Sequence, residues 1–350
     1  MTPTTRAAHN TFSVRWHNRR LLLLNLLEQQ PISRVRLARL TGLSTTTVTN
    51  LTSELIQEGV VAEIGVDVIA QPRGAGRPPQ ALTLVADSRY AIGVHIGVRS
   101  VRLVLCDLMV GVLDRDEFSI SRGSPPEAVI DAIRKAVARL QDRHARLAEP
   151  GRLVGVGVGA SGLVDGATGV NYLAPNLGWR DLPLRDMLYD VLDLPVVVDN
   201  NVRYMALGES MYGVGRGVRA LAFVYARVGL AAGLVVDGKI YRGAGYGAGE
   251  IGHWLMTSAV GPSEPTETLE DLLSERTLVQ LAREIAPGIF PDEPADSHAE
   301  MLTLLAAVRN GNQALRDLLT ARAGHLGVAM TNLVDVLNPE CLILGGYLAD

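Results

Sequence analysis

Cysteine is nearly absent from this chain: Cys106 and Cys341 are the only two in 350 residues. Both lie in apolar runs and read as reduced core residues, which excludes a disulfide scaffold and fits a cytoplasmic protein. No charged and apolar leader opens the sequence. The longest early apolar run, Leu21–Leu27, is too short to span a bilayer and reads instead as the first helix of a small domain. An overall basic surplus is also missing. The net charge of −4 excludes a protein that coats nucleic acid over its whole surface. The charge is unevenly spread, however. Met1–Thr83 holds nine Arg against five acidic residues, a surplus of four, so the remainder carries −8. A basic head on an acidic body suits contact with phosphates at one end only.

The head carries the most informative stretch, Ser33–Ile64. Its periodicity predicts a helix over Ser33–Leu40 with Val35, Leu37 and Leu40 inside. Thr41-Gly42-Leu43 supplies a tight turn, with glycine where a left-handed backbone is needed. Ser44 is a favourable N-cap for a second helix over Thr45–Glu58. Val48, Leu51, Leu55 and Ile56 fall on one side of that helix. Thr45, Thr46, Thr49, Asn50 and Ser53 fall on the other, and are short, uncharged hydrogen-bonders suited to base edges in a major groove. Gly59 ends the helix, Val60–Ile64 and Gln80–Leu84 are expected as paired strands, and PRGAGRPP lies in the loop between them. Arg73 and Arg77 in that loop can reach the backbone or an adjacent minor groove. The pattern is that of a winged helix-turn-helix. Its expected DNA contacts are Arg34, Arg36, Ser44, Thr45, Thr46, Thr49, Asn50, Arg73 and Arg77.

From about Ser88 strands alternate with helices. YAIGVHIG, VRLVLCDL and VGVLDRDEFSI read as three consecutive strands. A helix over Pro125–Arg146, the Gly-rich strand RLVGVGVGAS, a helix in DLPLRDMLYDVL, the strand LPVVVDN and a helix over Asn201–Gly213 follow. ALAFVYARVG and LAAGLVVDGKIYRG begin a second strand series. Thr268–Arg283 and Ser297–Leu337 read as mostly helical, before the strand CLILGG. Two such units in succession predict a two-lobed, duplicated α/β fold with a cleft between lobes. The expected division is 1–86 for the winged helix, 87–200 for the first lobe and 201–350 for the second. The chain ends before the helix such a final strand would feed, as if a C-terminal helix were missing.

GVGVGASGLVD, YLAPNLGWRDLPL, LPVVVDNNVRYMALGE, GLVVDGKIYRGAGYGAGEIGHW and LNPECLILGGYLA occur in this order. Together they resemble the ROK family of repressors and sugar kinases, whose fold is actin/hexokinase-like. The winged helix is similar to that of the repressor branch, and the resemblance runs from about Asn18 to the end. It implies a nucleotide site, a sugar site and a catalytic carboxylate. Family kinases place an Asp after Glu-Asn at the head of a helix. Asp199, Asn200 and Asn201 match that run, so the base position holds Asn201, an amide that cannot accept a proton. The first phosphate loop, DIGGT-like in kinases, is His95-Ile96-Gly97-Val98-Arg99 here. The second, GTGIGAG-like, begins at Arg227. Side chains occupy paths that backbone must leave open for phosphate. The cysteines that join the EIGH histidine in a family zinc site are absent after His253, and one histidine cannot make a tetrahedral site. Trp254 and Leu269 are expected to hold that loop by packing.

The sugar contacts implied by the resemblance survive better. They fall on Asn176, Asn200, Glu250, His253 and Glu270, with Gly162 admitting the ring to the backbone and Asn201 in the same pocket. Amides and carboxylates are suitable partners for a polyol. The plainer alternative is that Glu250 and His253 tie down a Gly-rich loop while Asn176 and Asn200 cap turns. Arg99, Arg203 and Arg227 either converge on an anion or fill the vacated space and pair with local carboxylates. The reading is a cytoplasmic, non-enzymatic regulator of carbohydrate-related genes, without metal, cofactor or membrane association. It binds an operator in double-stranded DNA as a homodimer or dimer of dimers and responds to a sugar or sugar phosphate. A sugar kinase with an appended head, and a ligand-blind regulator with a vestigial cleft, remain the alternatives.

Overall fold

In a computed structural model, residues 11–67, 69, 78–256, 267–291 and 297–349 are described. The chain divides into two compact units. The first holds Met1–Gly93, Leu103–Glu117 and Arg134–Gly157; the second holds Val94–Arg102, Phe118–Ile133 and Val158–Asp350. No helix among the described residues is long and apolar enough to cross a membrane.

The first unit begins with three helices, α1 (Thr11–Gln29), α2 (Arg34–Thr41) and α3 (Thr45–Gln57). Strands β1 (Ile32–Ser33), β2 (Val61–Val66) and β3 (Gln80–Leu84) form an antiparallel sheet in the order β1-β3-β2. This is the element order of a winged helix. Gly42 takes φ +70° at the turn, and Ser44 Oγ accepts from Thr47 N at 3.1 Å to cap α3. Leu22, Leu26, Leu37, Val48, Leu51, Leu55 and Leu82 close one apolar core. Fully burying such a side chain contributes about 1.5–3 kcal/mol. Val35 and Leu40 are not in it, being 45% and 53% exposed. With eight residues α2 has room for one inward stripe, and Leu37 and Ala38 take it.

Asp67 pins the end of β2 to the start of α2. Its buried carboxylate accepts from Ser33 N at 2.8 Å and Ile69 N at 3.1 Å, with Arg36 Nη1 at 3.4 Å. Burial pushes the Asp67 carboxyl up, but these donors outweigh it and hold the group below the usual aspartate value.

Beyond the winged helix, β4 (Tyr90–Ile96), β5 (Ser100–Asp107), β6 (Val112–Ser119), α4 (Pro126–Arg143) and β7 (Leu153–Ala160) follow the expected order. Next come β8 (Leu163–Val164), β9 (Asn171–Ala174), β10 (Trp179–Leu182), α5 (Leu184–Leu192), β11 (Val196–Asn200) and α6 (Asn201–Tyr212). The main sheet runs β11-β7-β4-β5-β6. The small sheet β10-β9-β8 was not expected, because its strands are two to four residues long and carry no periodic signal.

The second unit contains β12 (Ala220–Ala226), β13 (Leu230–Val236), β14 (Lys239–Ile240), α7 (Leu269–Leu273), α8 (Glu275–Ile285), α9 (Ser297–Arg309), α10 (Gln313–Leu337) and β15 (Cys341–Gly346). Its sheet runs β14-β13-β12-β15, with β15 parallel to β12. That order repeats β6-β5-β4-β7, the duplication anticipated from the two strand series. Both faces of β12 are covered: Leu221 and Phe223 join Val202 and Ala206 on one, Ala222 and Val224 join Leu269 and Leu333 on the other. The mostly helical stretch expected over Thr268–Arg283 forms two helices that meet at Ser274, whose hydroxyl caps α8 through Thr277 N. Cys106 and Cys341 are free but only half-buried, so neither is a fully buried core residue.

Replacing Leu37, which is fully buried, with Ala should cost about 2–5 kcal/mol of head stability, read from urea unfolding followed by helical circular dichroism. Asp67→Asn should cost about 1.5–3 kcal/mol at neutral pH. The wild-type advantage belongs to the ionised form of a carboxyl with a lowered folded value. It should therefore be present above the ordinary aspartate value of about 3.9 and fade as pH falls through and below it.

Candidate ligand site and nucleic-acid interface

On α3 the side chains of Thr45, Thr46, Thr49, Asn50 and Ser53 are exposed, while Val48, Leu51 and Leu55 are buried. The polar face read from the sequence is therefore outward. Ser44 spends its hydroxyl on the cap and is a scaffold residue first. Arg34 and Arg36 have internal partners. Arg34 donates to Thr52 Oγ1 at 2.9 Å and to Glu63 Oε1 at 2.7 Å, and Arg36 faces Asp67. Both tie α2 to its surroundings, a role the sequence hid because Glu63 and Asp67 lie about thirty residues away. Arg73 and Arg77 lie outside the described residues.

The second unit builds a polar site around the start of α6. Asn200 caps this helix, its Oδ1 accepting from Val202 N at 2.9 Å and Arg203 N at 3.2 Å, while Nδ2 donates to Gly162 O at 2.8 Å. Gly162 itself has φ +100°, and a Cβ there would lie 2.3 Å from Leu173 O. Strand β9 therefore demands this glycine without any ring to admit. Asn176 is half-buried in the turn between β9 and β10.

Asn201, the residue expected at the base position, is held by three neighbours. Its Nδ2 lies 3.3 Å from His95 Nε2 and 3.4 Å from Ser161 Oγ, and its Oδ1 accepts from Val202 N at 2.9 Å. His95 stands at the first phosphate-loop position. Burial, followed by the charges of Arg102 and Arg227, holds its imidazole below the ordinary histidine value. A neutral ring can accept the Asn201 amide proton. Asn201 and His95 thus satisfy each other.

Asp199 points away from Asn201 into an ion cluster. It is fully buried and receives Arg203 Nη1 at 2.9 Å, Arg242 Nε at 2.8 Å and Arg242 Nη2 at 2.7 Å. Arg203 also donates to Val164 O at 3.0 Å and to Tyr246 O. Of the three arginines singled out in the sequence, Arg203 is thus paired, Arg227 lies 3.5 Å from Glu275 Oε1, and Arg99 donates to Ser297 Oγ at 2.8 Å. Arg203 and Arg227 follow the carboxylate-pairing alternative. Arg242, Tyr246 and His95 were missed as site residues. The KIYRGAG run around Arg242 carries part of the family resemblance, with no role attached to its arginine.

Glu250, half-buried, has its carboxyl pushed up, first by burial and further by Glu270, against the opposing pull of His253 and Arg203. Glu270 Oε2 accepts from Leu230 N at 3.0 Å and lies 3.0 Å from where a Cβ on Gly229 would sit. His253 is exposed at the end of a short turn, Ile251–His253. These three residues and Arg203 therefore share one electrostatic neighbourhood. The following loop is closed at its base by Leu269 N donating to Trp254 O at 2.8 Å and by a bridge between Leu255 and Thr268. Trp254 and Leu269 pack in one apolar cluster, as the sequence suggested.

The sequence pattern of the ROK family matches residues 91–350. The chain belongs to the ROK family. A xylose repressor of Caldicellulosiruptor bescii is 30% identical over 338 residues, covering 94% of this chain and 82% of that protein. A glucokinase of Halalkalibacterium halodurans is 29% identical over 276 residues, covering 74% of this chain and 80% of that one. Among solved structures, a ROK family transcriptional regulator described as a homologue of the E. coli MLC protein superposes with a TM-score of 0.79 at 22% identity. It covers 96% of this chain and 84% of that one, and shows the shared fold. The repressor relatives thus extend over more of the chain than the glucokinase does, and the chain groups with the repressor branch of the ROK family.

Removing the Asp199 carboxylate strands two guanidinium groups, one of them buried. Asp199→Ala should cost about 3–5 kcal/mol in chemical unfolding, far more than loss of an exposed pair. Glu250 gives a signed test. Its folded value is raised, so ionising it opposes folding. Wild type should lose stability relative to Glu250→Gln as pH rises above the ordinary glutamate value of about 4.3, and the two should converge below it. Parallel stability curves from pH 4 to 8 would exclude the effect.

Proposed function

We propose that this chain is a sugar-responsive, DNA-binding transcriptional repressor that does not phosphorylate its ligand. The observation that carries the reading is Asn201 at the expected base position, hydrogen-bonded to His95, which stands where a DIGGT-like loop has its aspartate. An amide there cannot take the sugar hydroxyl proton. Similarity to named repressors along 94% of the chain supports the regulatory half of the reading. The three-part division at 86 and 200 is kept as a working description. Exposed Thr45, Thr46, Thr49, Asn50 and Ser53 are the proposed base-reading face, with Arg73 and Arg77 as proposed wing contacts. Asn176, Asn201, Glu250, His253 and Glu270 are the proposed sugar contacts. Asn200 and Gly162 are assigned to the scaffold that holds them. A homodimer would present two α3 helices to a palindromic operator in the cytoplasm. Because several repressor relatives are named for xylose, D-xylose is the first ligand to try.

Selection from random duplexes should yield a palindromic site. Asn50→Ala should then weaken that site by about 5- to 150-fold, the loss expected of one base contact. D-xylose or a related sugar should perturb the fluorescence of Trp254, and Glu270→Gln should weaken that response. ATP consumption with any hexose or pentose should stay at the blank for wild type. Turnover by wild type would overturn the non-enzymatic reading. A silent Trp254 across a panel of sugars and sugar phosphates would favour a ligand-blind regulator.

A further inference from the structure

The segment Val85–Arg89 joins the winged helix to β4 within the first unit, and it is held more tightly than a linker need be. Its flanks are tied by backbone bonds: Val85 N donates to Val60 O at 2.9 Å, Leu108 N to Ala86 O at 3.0 Å, and Tyr90 N to Arg152 O at 2.8 Å. Arginine side chains then close on it. Arg152 Nη1 donates to Asp87 O at 3.0 Å and Ser88 O at 3.2 Å, while Glu149 Oε2 accepts from Arg152 Nε at 2.9 Å and aims the guanidinium. Arg89 Nη1 donates to Ser88 O at 2.8 Å, and Arg146 pairs with the Asp87 carboxylate.

The same cluster reaches the end of the DNA-reading helix. Glu58, the C-cap of α3, pairs with Arg19 of α1 and lies 3.9 Å from Arg89 Nη2. Hydrogen bonding from Arg19 first, then the charge of Arg89, holds the Glu58 carboxyl below its usual range. Glu58, Gly59, Val85, Asp87, Arg89, Arg146, Glu149 and Arg152 rim one polar concavity of about 550 Å³. The arrangement alternates cations and carboxylates from the α3 cap to the Ala145–Ala148 turn and its continuation to Arg152, with the connector backbone in the middle.

We propose that this arginine-locked connector is the device that couples the orientation of α3 to the α/β part of the first unit, with Arg152 as its positioning residue. A connector carrying a signal has to be stiff. Here the stiffness comes from guanidinium groups on connector carbonyls, so that displacing the Ala145–Arg152 segment displaces Asp87, Ser88 and, through Arg89 and Glu58, the end of α3. The proposal rests on the DNA-binding reading for its purpose but not for the lock itself.

Hydrogen–deuterium exchange on the full chain tests the lock without DNA or sugar. Arg152→Ala should speed exchange of amides 58–60 and 85–90 by about tenfold or more while the interior of α2 is unchanged. Arg139→Ala, which removes an exposed pair with Asp116 in the same unit, should leave those amides at the wild-type rate. Raising NaCl to ~0.5 M should speed the same segments of wild type, since the partly exposed pairs are screened. Exchange within about twofold of wild type in Arg152→Ala would overturn the lock, and should that variant not fold, an absent salt effect overturns it instead. Anisotropy on the selected duplex then tests the purpose. Arg152→Ala should bind DNA and D-xylose separately yet lose the D-xylose effect on DNA affinity. An unchanged effect overturns the coupling. A wild type that ignores sugar sinks the functional reading, with the exchange result still deciding the lock.

Discussion

The candidate ligand site is organised around one buried carboxylate. Asp199 sits at the end of β11, one residue before the cap of α6, with no water-exposed surface to dissipate its field. A carboxylate in that position is tolerable only when it is fully paired, and two guanidinium groups do this. The consequences spread outward. Arg203 is fixed on the first turn of α6, Arg242 anchors the Gly-rich loop before Glu250, and Arg203 also holds Tyr246 O and Val164 O. The strand, the helix, the small β8 strand and the loop are thereby placed relative to one another by one ion cluster. The polar residues around it inherit their positions.

The frame was legible because it is written in local signals. The Gly42 turn, the Ser44 cap and the two-sided residues of α3 fall where the pattern put them, and β3 matches its expected limits residue for residue. The strand series of the body were equally clear, since buried β12 and β13 are continuous apolar runs. What escaped were pairings across distance. Arg34 and Arg36 read as surface cations in a basic head, yet Glu63 and Asp67 claim them once the sheet folds back. Val35 and Leu40 read as core because periodicity counts every apolar residue, whereas an eight-residue helix buries a narrow stripe. Gly162 fitted a ligand explanation in the sequence, and its real constraint is the carbonyl of Leu173.

The residues at the expected base and phosphate-loop positions satisfy one another within the shared ROK frame. Asn201 is close in shape to aspartate, so the helix start and its cap need no rearrangement. His95 accepts the proton that the amide brings, and Arg227 finds Glu275. Each replacement is matched by a neighbour, so no altered position is left as an uncompensated polar group in the interior. Glu250 and Glu270 lie beside backbone that glycine alone can supply at Gly249 and Gly252.

The grip of Arg152 on the connector has an evolutionary corollary. It holds the carbonyl oxygens of residues 87 and 88, which every amino acid possesses. This contact is therefore indifferent to the side chains at 87 and 88, and its burden of constancy falls on a position more than sixty residues away, while Asp87 and Arg89 keep their own pairs with Arg146 and Glu58. Linker variability among relatives, ordinarily a mark of looseness, is compatible here with a joint whose geometry does not change.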